Sequence, residues 1–328
     1  MTGATVTADP AASAVAEPVA DPVIGPVVDP VADPVVGRHD TTPDAGRWEL
    51  LRTLGAVTAA LPPETDHLFE ALGMPAMSRA DHTRLSALEL PPYAAIHLGP
   101  EGKLGGDGAD RVAGVWRTLG LDPPADADHL AALLALYAAL GEGAGTSRTE
   151  QVRLRLEHTR ATVLWEHLWS WVPGYLDAVR RHHPAARAWA DLVERALVRE
   201  AGATAAARTL PAALRDAPAP VDQGAAVDDL LDALTVPVRT GFVLTASDVA
   251  RAAAETGTGL RRGERRFALR SLMEQDAGAA LTWLAGHAAA WVDLHRARHP
   301  VAFDPGPWWA ARAAQSALAL TQLAHRAG

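Results

Sequence analysis

The sequence predicts an all-α protein, and three observations predict it. Beyond residue 46, nearly every segment repeats its apolar side chains at intervals of three or four, the period of one helix face. Alanine is abundant, which favours helix and lets helices approach closely. Runs that alternate Val, Ile, Thr or Tyr with polar residues, the mark of a half-buried strand, are scarce.

Each element can be justified in turn. Trp48, Leu51, Leu54, Val57 and Leu61 trace a stripe over 48–61. Ser78 followed by Asp81 has capping-box spacing and opens a helix through about Leu88. Val112, Val115, Trp116 and Leu119 form a stripe that stops at Gly120, a residue suited to a left-handed helix end. Asp126 or Asp128 opens the next helix, with Leu130, Leu133, Leu134, Tyr137 and Leu140 on one side and Gly141 after it. Ser147 and Glu150 repeat the capping-box spacing and begin a helix reaching about Trp169. Further helices are expected over 173–182, 185–200, 204–214, 227–234, 246–256, 261–275, 277–298 and 307–326.

Two seams interrupt this pattern. One is DAPAPVDQG at 216–224, which reads as a linker; the other is the Pro- and Gly-rich loop at 89–108. They suggest a tail at 1–46, a helical domain at 47–215 and a C-terminal helical region at 225–328. The tail contains EPVA DPVI GPVV DPVA DPVV at 17–36, five tetrapeptides with proline second. Proline every fourth residue removes backbone donors and excludes helix, and without aromatic residues the segment has nothing to build a core from. A disordered, extended arm is expected. The tail has neither the basic start nor the apolar run of a secretory signal, and no apolar stretch of about 18 residues predicts membrane insertion.

Charge and cysteine usage narrow the function. The chain has 328 residues, 48% hydrophobic and 21% charged, enough to bury a core. Its formal charge is -9. Asp9, Glu17, Asp21, Asp29, Asp33, Asp40 and Asp44 against Arg38 give the tail -6, leaving about -3 for the rest. Duplex DNA favours the opposite sign. The absence of cysteine excludes disulfides, thiolate-ligated zinc, iron–sulfur clusters and thiol catalysis, and fits a cytoplasmic protein. The single lysine, Lys103, sits in EGKLGGDG, a glycine-rich loop with no preceding strand and no phosphate-loop motif. His295 and His299 are one helical turn apart and His287 is two turns before His295, but no carboxylate joins them at ligand spacing, so surface histidines are expected. His182 and His183 are expected to meet the last carbonyls of their helix. No catalytic residue, metal site or cofactor is expected.

Three short constellations stand out. Pro91-Pro92-Tyr93 stiffens a loop and presents an amphipathic ring. Asp128-His129-Leu130 opens an apolar helix, where Asp128 is either a cap or a functional charge. His167-Leu168-Trp169-Ser170-Trp171-Val172-Pro173-Gly174-Tyr175 gathers aromatics where Pro173 ends one helix and fits the first turn of the next. This is either a packed helix corner or an aromatic-lined groove for a peptide.

In this order, with Thr118-Leu119-Gly120-Leu121 between the first two, these motifs resemble the TorD/DmsD/NarJ family of molybdoenzyme chaperones. The resemblance covers about 47–200. Where the family's loop often continues Glu-Ser after the tyrosine, Ala94 and Ala95 stand here, and Leu133 or Leu134 replaces a frequent glutamate. The resemblance implies a TorD-like, all-helical, non-catalytic cytoplasmic protein, monomer or homodimer. Its implied partner is the precursor of a molybdopterin-containing oxidoreductase, bound through the twin-arginine signal peptide and in some cases the body, and held back from export until the cofactor is inserted. The residues implied for client binding are Pro92, Tyr93, Asp128, His129, His167, Trp171, Pro173 and Tyr175, with Asp128 at the rim and Trp171 and Tyr175 walling an apolar groove.

Residues 238–270 support a different reading. Arg239, Arg251, Arg261, Arg262, Arg265, Arg266 and Arg270 against Asp248, Glu255 and Glu264 give +4. Thr245 and Asp248 cap a first helix, Gly257 and Gly259 make a turn, and an Arg-rich helix follows, as in a helix–turn–helix regulator. Arg261, Arg262, Arg265 and Arg266 form a solvated face, a patch for an anionic partner or a phosphate-contacting row. A local +4 is a small field for nucleic acid, so nucleic acid is the minor expectation.

Overall fold

The computed structural model describes residues 45–224, 226–261, 263–298, 301 and 303–328. The readings of the proline-rich repeat, Arg262 and His299 lie outside them. The described residues form sixteen α-helices and no strand: α1 (Ala45–Ala59), α2 (Asp66–Ala71), α3 (Arg79–Thr83), α4 (Ala94–Leu98), α5 (Gly106–Thr118), α6 (Leu130–Thr146), α7 (Glu150–Thr162), α8 (Val172–His182), α9 (Arg187–Ala203), α10 (Ala212–Arg215), α11 (Val227–Leu234), α12 (Pro237–Thr240), α13 (Ala246–Thr256), α14 (Arg265–Gln275), α15 (Ala277–Arg296) and α16 (Gly306–Ala327). The all-α expectation holds. Helices α3 and α7 each run on into a π-helical turn, Arg84–Glu89 and Val163–Leu168.

Helix α6 is the centre of the first half. Buried residues lie on all its sides, Leu130, Leu133, Leu134 and Tyr137 among them, as expected of a helix enclosed by others. Gly141 does not end it, as the sequence suggested. A Cβ there would come within 2.4 Å of the Trp48 ring, so glycine is the residue that lets α1 lie against α6. Beside it, Glu200 of α9 is fully buried. Arg47 donates two hydrogen bonds to it (2.6 and 2.5 Å), the Tyr137 hydroxyl donates another at 2.9 Å, and Arg160 lies 3.5 Å away. A buried carboxylate is tolerated because it is paired and hydrogen-bonded in this way.

In the second half, α15 and α16 form a long hairpin against which α12, α13 and α14 pack. Gly241 is pinned on two counts: its φ is +79°, and a Cβ would lie 2.2 Å from the Ala313 nitrogen of α16. Residues 216–224 contain no helix, yet the segments on either side of this seam pack together. The Trp309 indole donates to Ser170 O at 2.9 Å, Arg298 pairs with Asp177 at 2.8 Å, and His182 Nε2 lies 3.2 Å from Asp248 Oδ2.

Some boundaries differ from expectation for local reasons. Ser78 and Thr245 cap their helices through Asp81 and Asp248 as predicted, and the Thr245–Asp248 capping box is reciprocal. Helix α7 is capped by Thr149 rather than Ser147, and α6 by His129 rather than by either aspartate. Residues 204–211 are not helical, and Pro211 disfavours helical geometry in Leu210 just before it. Only α10 follows, where the Glu166 carboxylate accepts the Ala212 N–H at 2.6 Å. His182 faces Asp248 across the seam, not the end of its own helix.

Candidate client-binding site

The Pro-Tyr loop and the Asp-His pair form one unit. Tyr93 and His129 make an isolated antiparallel bridge. Leu130 N–H donates to Pro92 O at 2.8 Å, and Ala94 N–H to Asp128 O at 3.0 Å. The side chains complete the joint. Asp128 Oδ2 accepts the Ala95 N–H at 2.9 Å, serving the first turn of α4, and His129 Nδ1 accepts the Ala131 N–H at 3.1 Å at the start of α6. Two adjacent residues thus satisfy the otherwise unpaired amides of two different helices. To accept, the His129 ring must be neutral, and burial pushes its pKa down to about 4 against the opposing pull of Asp126. Burial also raises the Asp128 pKa, while the Ala95 amide works the other way.

This places Asp128 inside, at 4% exposure, instead of on a rim. The reason is local: its oxygen is needed by α4. Pro92 is buried, while Tyr93 keeps part of its ring at the surface, edge-on to His129 with ring centroids 4.7 Å apart. The exposed carboxylate of this joint is Asp126. It stands beside the Tyr93 hydroxyl, whose pKa is raised by burial and then by this charge.

The aromatic corner is interior. Trp171 stacks on His97 of α4, centroids 4.8 Å apart and planes at 19°. Tyr175 sits edge-on to both His97 and Trp171 at 5.7 Å. The Trp171 indole donates to His167 O at 2.6 Å, and Pro173 occupies the first turn of α8. Burial holds His167 neutral, its pKa pushed down to about 4. Trp171 is 1% exposed and Tyr175 is fully buried, so neither walls an open groove as expected from sequence. The second half covers them. A cavity of about 20 Å³ remains between His97 and Trp171 on one side and Phe242, His295 and Trp309 on the other. That is room for a water molecule and not for a peptide.

The arginine face is mostly occupied. Arg265 is partly buried and donates to Leu244 O at 2.6 Å. Arg266 pairs with Asp228 at 2.5 Å and with Asp232, and Arg270 pairs with Asp228. Of the three singled-out arginines that are described, Arg261 is exposed and has no partner among the described residues. The helix expected from 261 begins at Arg265. Acidic α11, next to it, supplies the counter-charge that a reading of 238–270 alone does not contain.

The histidines of α15 are core residues and not surface ones. His287 and His295 are 5% and 3% exposed, with Nε2 atoms 3.0 Å from Val243 O and 2.7 Å from Gly241 O. Among the described residues no group of three or more histidines and carboxylates is placed to hold a metal ion. Among them, too, no helix is long and apolar enough to cross a membrane. Sequence reasoning overlooked His97, which joins α4 to the aromatic corner, and considered Asp126 only as a cap. The alternating Asp-x-Asp before His129 was the available signal for Asp126.

No curated protein and no solved structure matches the chain. Residues 80–177 match the family described as nitrate reductase delta subunit, a family of redox-enzyme maturation chaperones. The matched segment contains the Pro-Tyr loop, the Asp-His pair and the aromatic corner through Tyr175. The match covers a little under a third of the chain, and over that segment the chain is similar to the NarJ/TorD-type chaperones.

Proposed function

We propose that the chain is a cytoplasmic, non-catalytic chaperone for the precursor of a molybdopterin-containing oxidoreductase, acting as a monomer or homodimer. It binds the precursor's twin-arginine signal peptide, its body or both, assists cofactor insertion and withholds export until the enzyme is mature. The observation that carries this reading is the coincidence of the family match with the joint between Pro92-Tyr93 and Asp128-His129. Rigid hydrogen bonding at that joint presents a tyrosine ring and a carboxylate to solvent at a fixed place. Preorganised surface groups lose little freedom on binding. The buried corner of His167, Trp171, Pro173 and Tyr175 supports the joint from behind through His97 and α4.

Calorimetric titration of the purified full chain with a molybdopterin-oxidoreductase precursor, with and without its signal segment, tests this. Saturable binding to the precursor, weakened when the signal is removed, is the expected result. No binding to either form by a folded protein would sink the proposal.

A further inference from the structure

We infer that the cavity between the two halves binds one water molecule, which bridges His97 of α4 to His295 of α15 and so ties the second half to the aromatic corner.

The cavity lies between two stacked ring pairs. In the first half, His97 stacks on Trp171, centroids 4.8 Å apart and planes at 19°. In the second, His295 stacks on Trp309, centroids 6.0 Å apart and planes at 29°. All four rings line the same space of about 20 Å³, more than the roughly 10–15 Å³ that one water needs. The tryptophans have partners of their own: the Trp171 indole donates to His167 O and the Trp309 indole to Ser170 O. The histidines are each left with one unpaired nitrogen. Both side chains are deeply buried, at 3% exposure, yet His97 Nε2 and His295 Nδ1 have no hydrogen-bond partner among the described residues. Buried polar atoms are nearly always paired. Two unpaired nitrogens bordering one water-sized space therefore point to what fills it. The other buried histidines with an unpaired nitrogen, His82, His183 and His287 among them, do not line this cavity.

The chemistry of the lining selects the occupant. His295 Nε2 lies 2.7 Å from Gly241 O, which only an N–H can satisfy. Its Nδ1 is then the accepting nitrogen of a neutral ring. An anion would meet that lone pair and no positive ring, since burial holds both histidines neutral, with pKa values near 3. A cation would be repelled by Arg265 beside His97 and Arg298 beside His295. An apolar guest would leave both nitrogens unsatisfied. A water donates to His295 Nδ1 and either donates to His97 Nε2 or accepts from it, so it serves whichever tautomer His97 adopts. Such a bridge is enthalpically nearly as good as a direct hydrogen bond. It would join Trp309–Ser170 and Arg298–Asp177 as a tie across the seam.

The test is nuclear magnetic resonance on the full chain with isotope-labelled histidine. Rotating-frame cross-peaks are expected between a long-lived water and the carbon-bound ring protons of both His97 and His295. Cross-peaks to neither ring, or to one alone, overturn the bridge. A urea double-mutant cycle with His97→Leu and His295→Leu gives a second reading. Each single change strands the nitrogen opposite, while the double change removes both. The midpoint of the double variant should therefore fall by less than the sum of the two single shifts. Additive shifts in folded variants overturn the coupling. The wild-type spectrum decides alone where a variant does not fold, because its ring protons can be assigned through bonds.

Discussion

The corner around Trp171 and the joint around Tyr93 come from the same matched segment but have different surroundings. At the corner, Trp171 and Tyr175 are sealed between α4, α8 and the second half, and the remaining cavity is water-sized. At the joint, one side of the bridge is buried and the other carries the part-exposed Tyr93 and the exposed Asp126. A motif in the sequence therefore contains both scaffold and surface, and only the fold separates them. Changes at the corner should act on stability, and changes on the outer face of the joint should act on binding.

Acidification is expected to have the largest effect, and it falls mainly on the corner and its cover. Burial depresses the pKa of His97 and His295 to about 3, and of His167, His287 and His129 to about 4, from an ordinary value of 6.5. These rings stay neutral in the fold while the unfolded chain takes up protons. Stability is therefore full above about pH 6.5 and is lost as pH falls towards 4 to 3, by up to about 1.4 kcal/mol per histidine for each pH unit. Urea denaturation between pH 7.5 and 4.5 measures the slope. His97→Gln should flatten it, and a stability independent of pH in this window would contradict the burial of these rings.

Trp171→Ala comes next, expected to cost about 3–5 kcal/mol in chemical denaturation, as for other large core side chains cut to alanine. A near-neutral result would place the indole at a surface and reinstate the groove that its position in the sequence suggested.

That pair of expectations bears on what the sequence could disclose. The helices were legible because periodicity, Ser78, Thr245 and Gly120 are local signals. The resemblance was legible because the order of the motifs is a one-dimensional signal. Exposure was not. Whether Asp126 or Asp128 faces solvent depends on Ala95, thirty-three residues before Asp128, whose amide claims that carboxylate. Likewise Arg266 and Arg270 read as a basic face until Asp228 and Asp232 are placed beside them. Gly141 resembled a helix stop because its neighbour Trp48 lies ninety-three positions earlier in the chain.

Smaller effects refine the comparison. Asp128→Ala should lose about 1–3 kcal/mol, because the Ala95 N–H is left buried without an acceptor. Asp126→Asn should change stability by no more than about 0.5 kcal/mol, as for most exposed sites. Thermal melts of the two variants side by side check this. Equal destabilisation by both would erase the distinction between inner and outer carboxylate.

Hydrogen exchange on the full chain, with and without a saturating twin-arginine precursor, tests the account most directly. The predicted result is new protection at 91–96 and 121–130, with 167–182 already protected in the free protein and unchanged by the client. Protection appearing instead only at 167–182, or along 265–275, would contradict it.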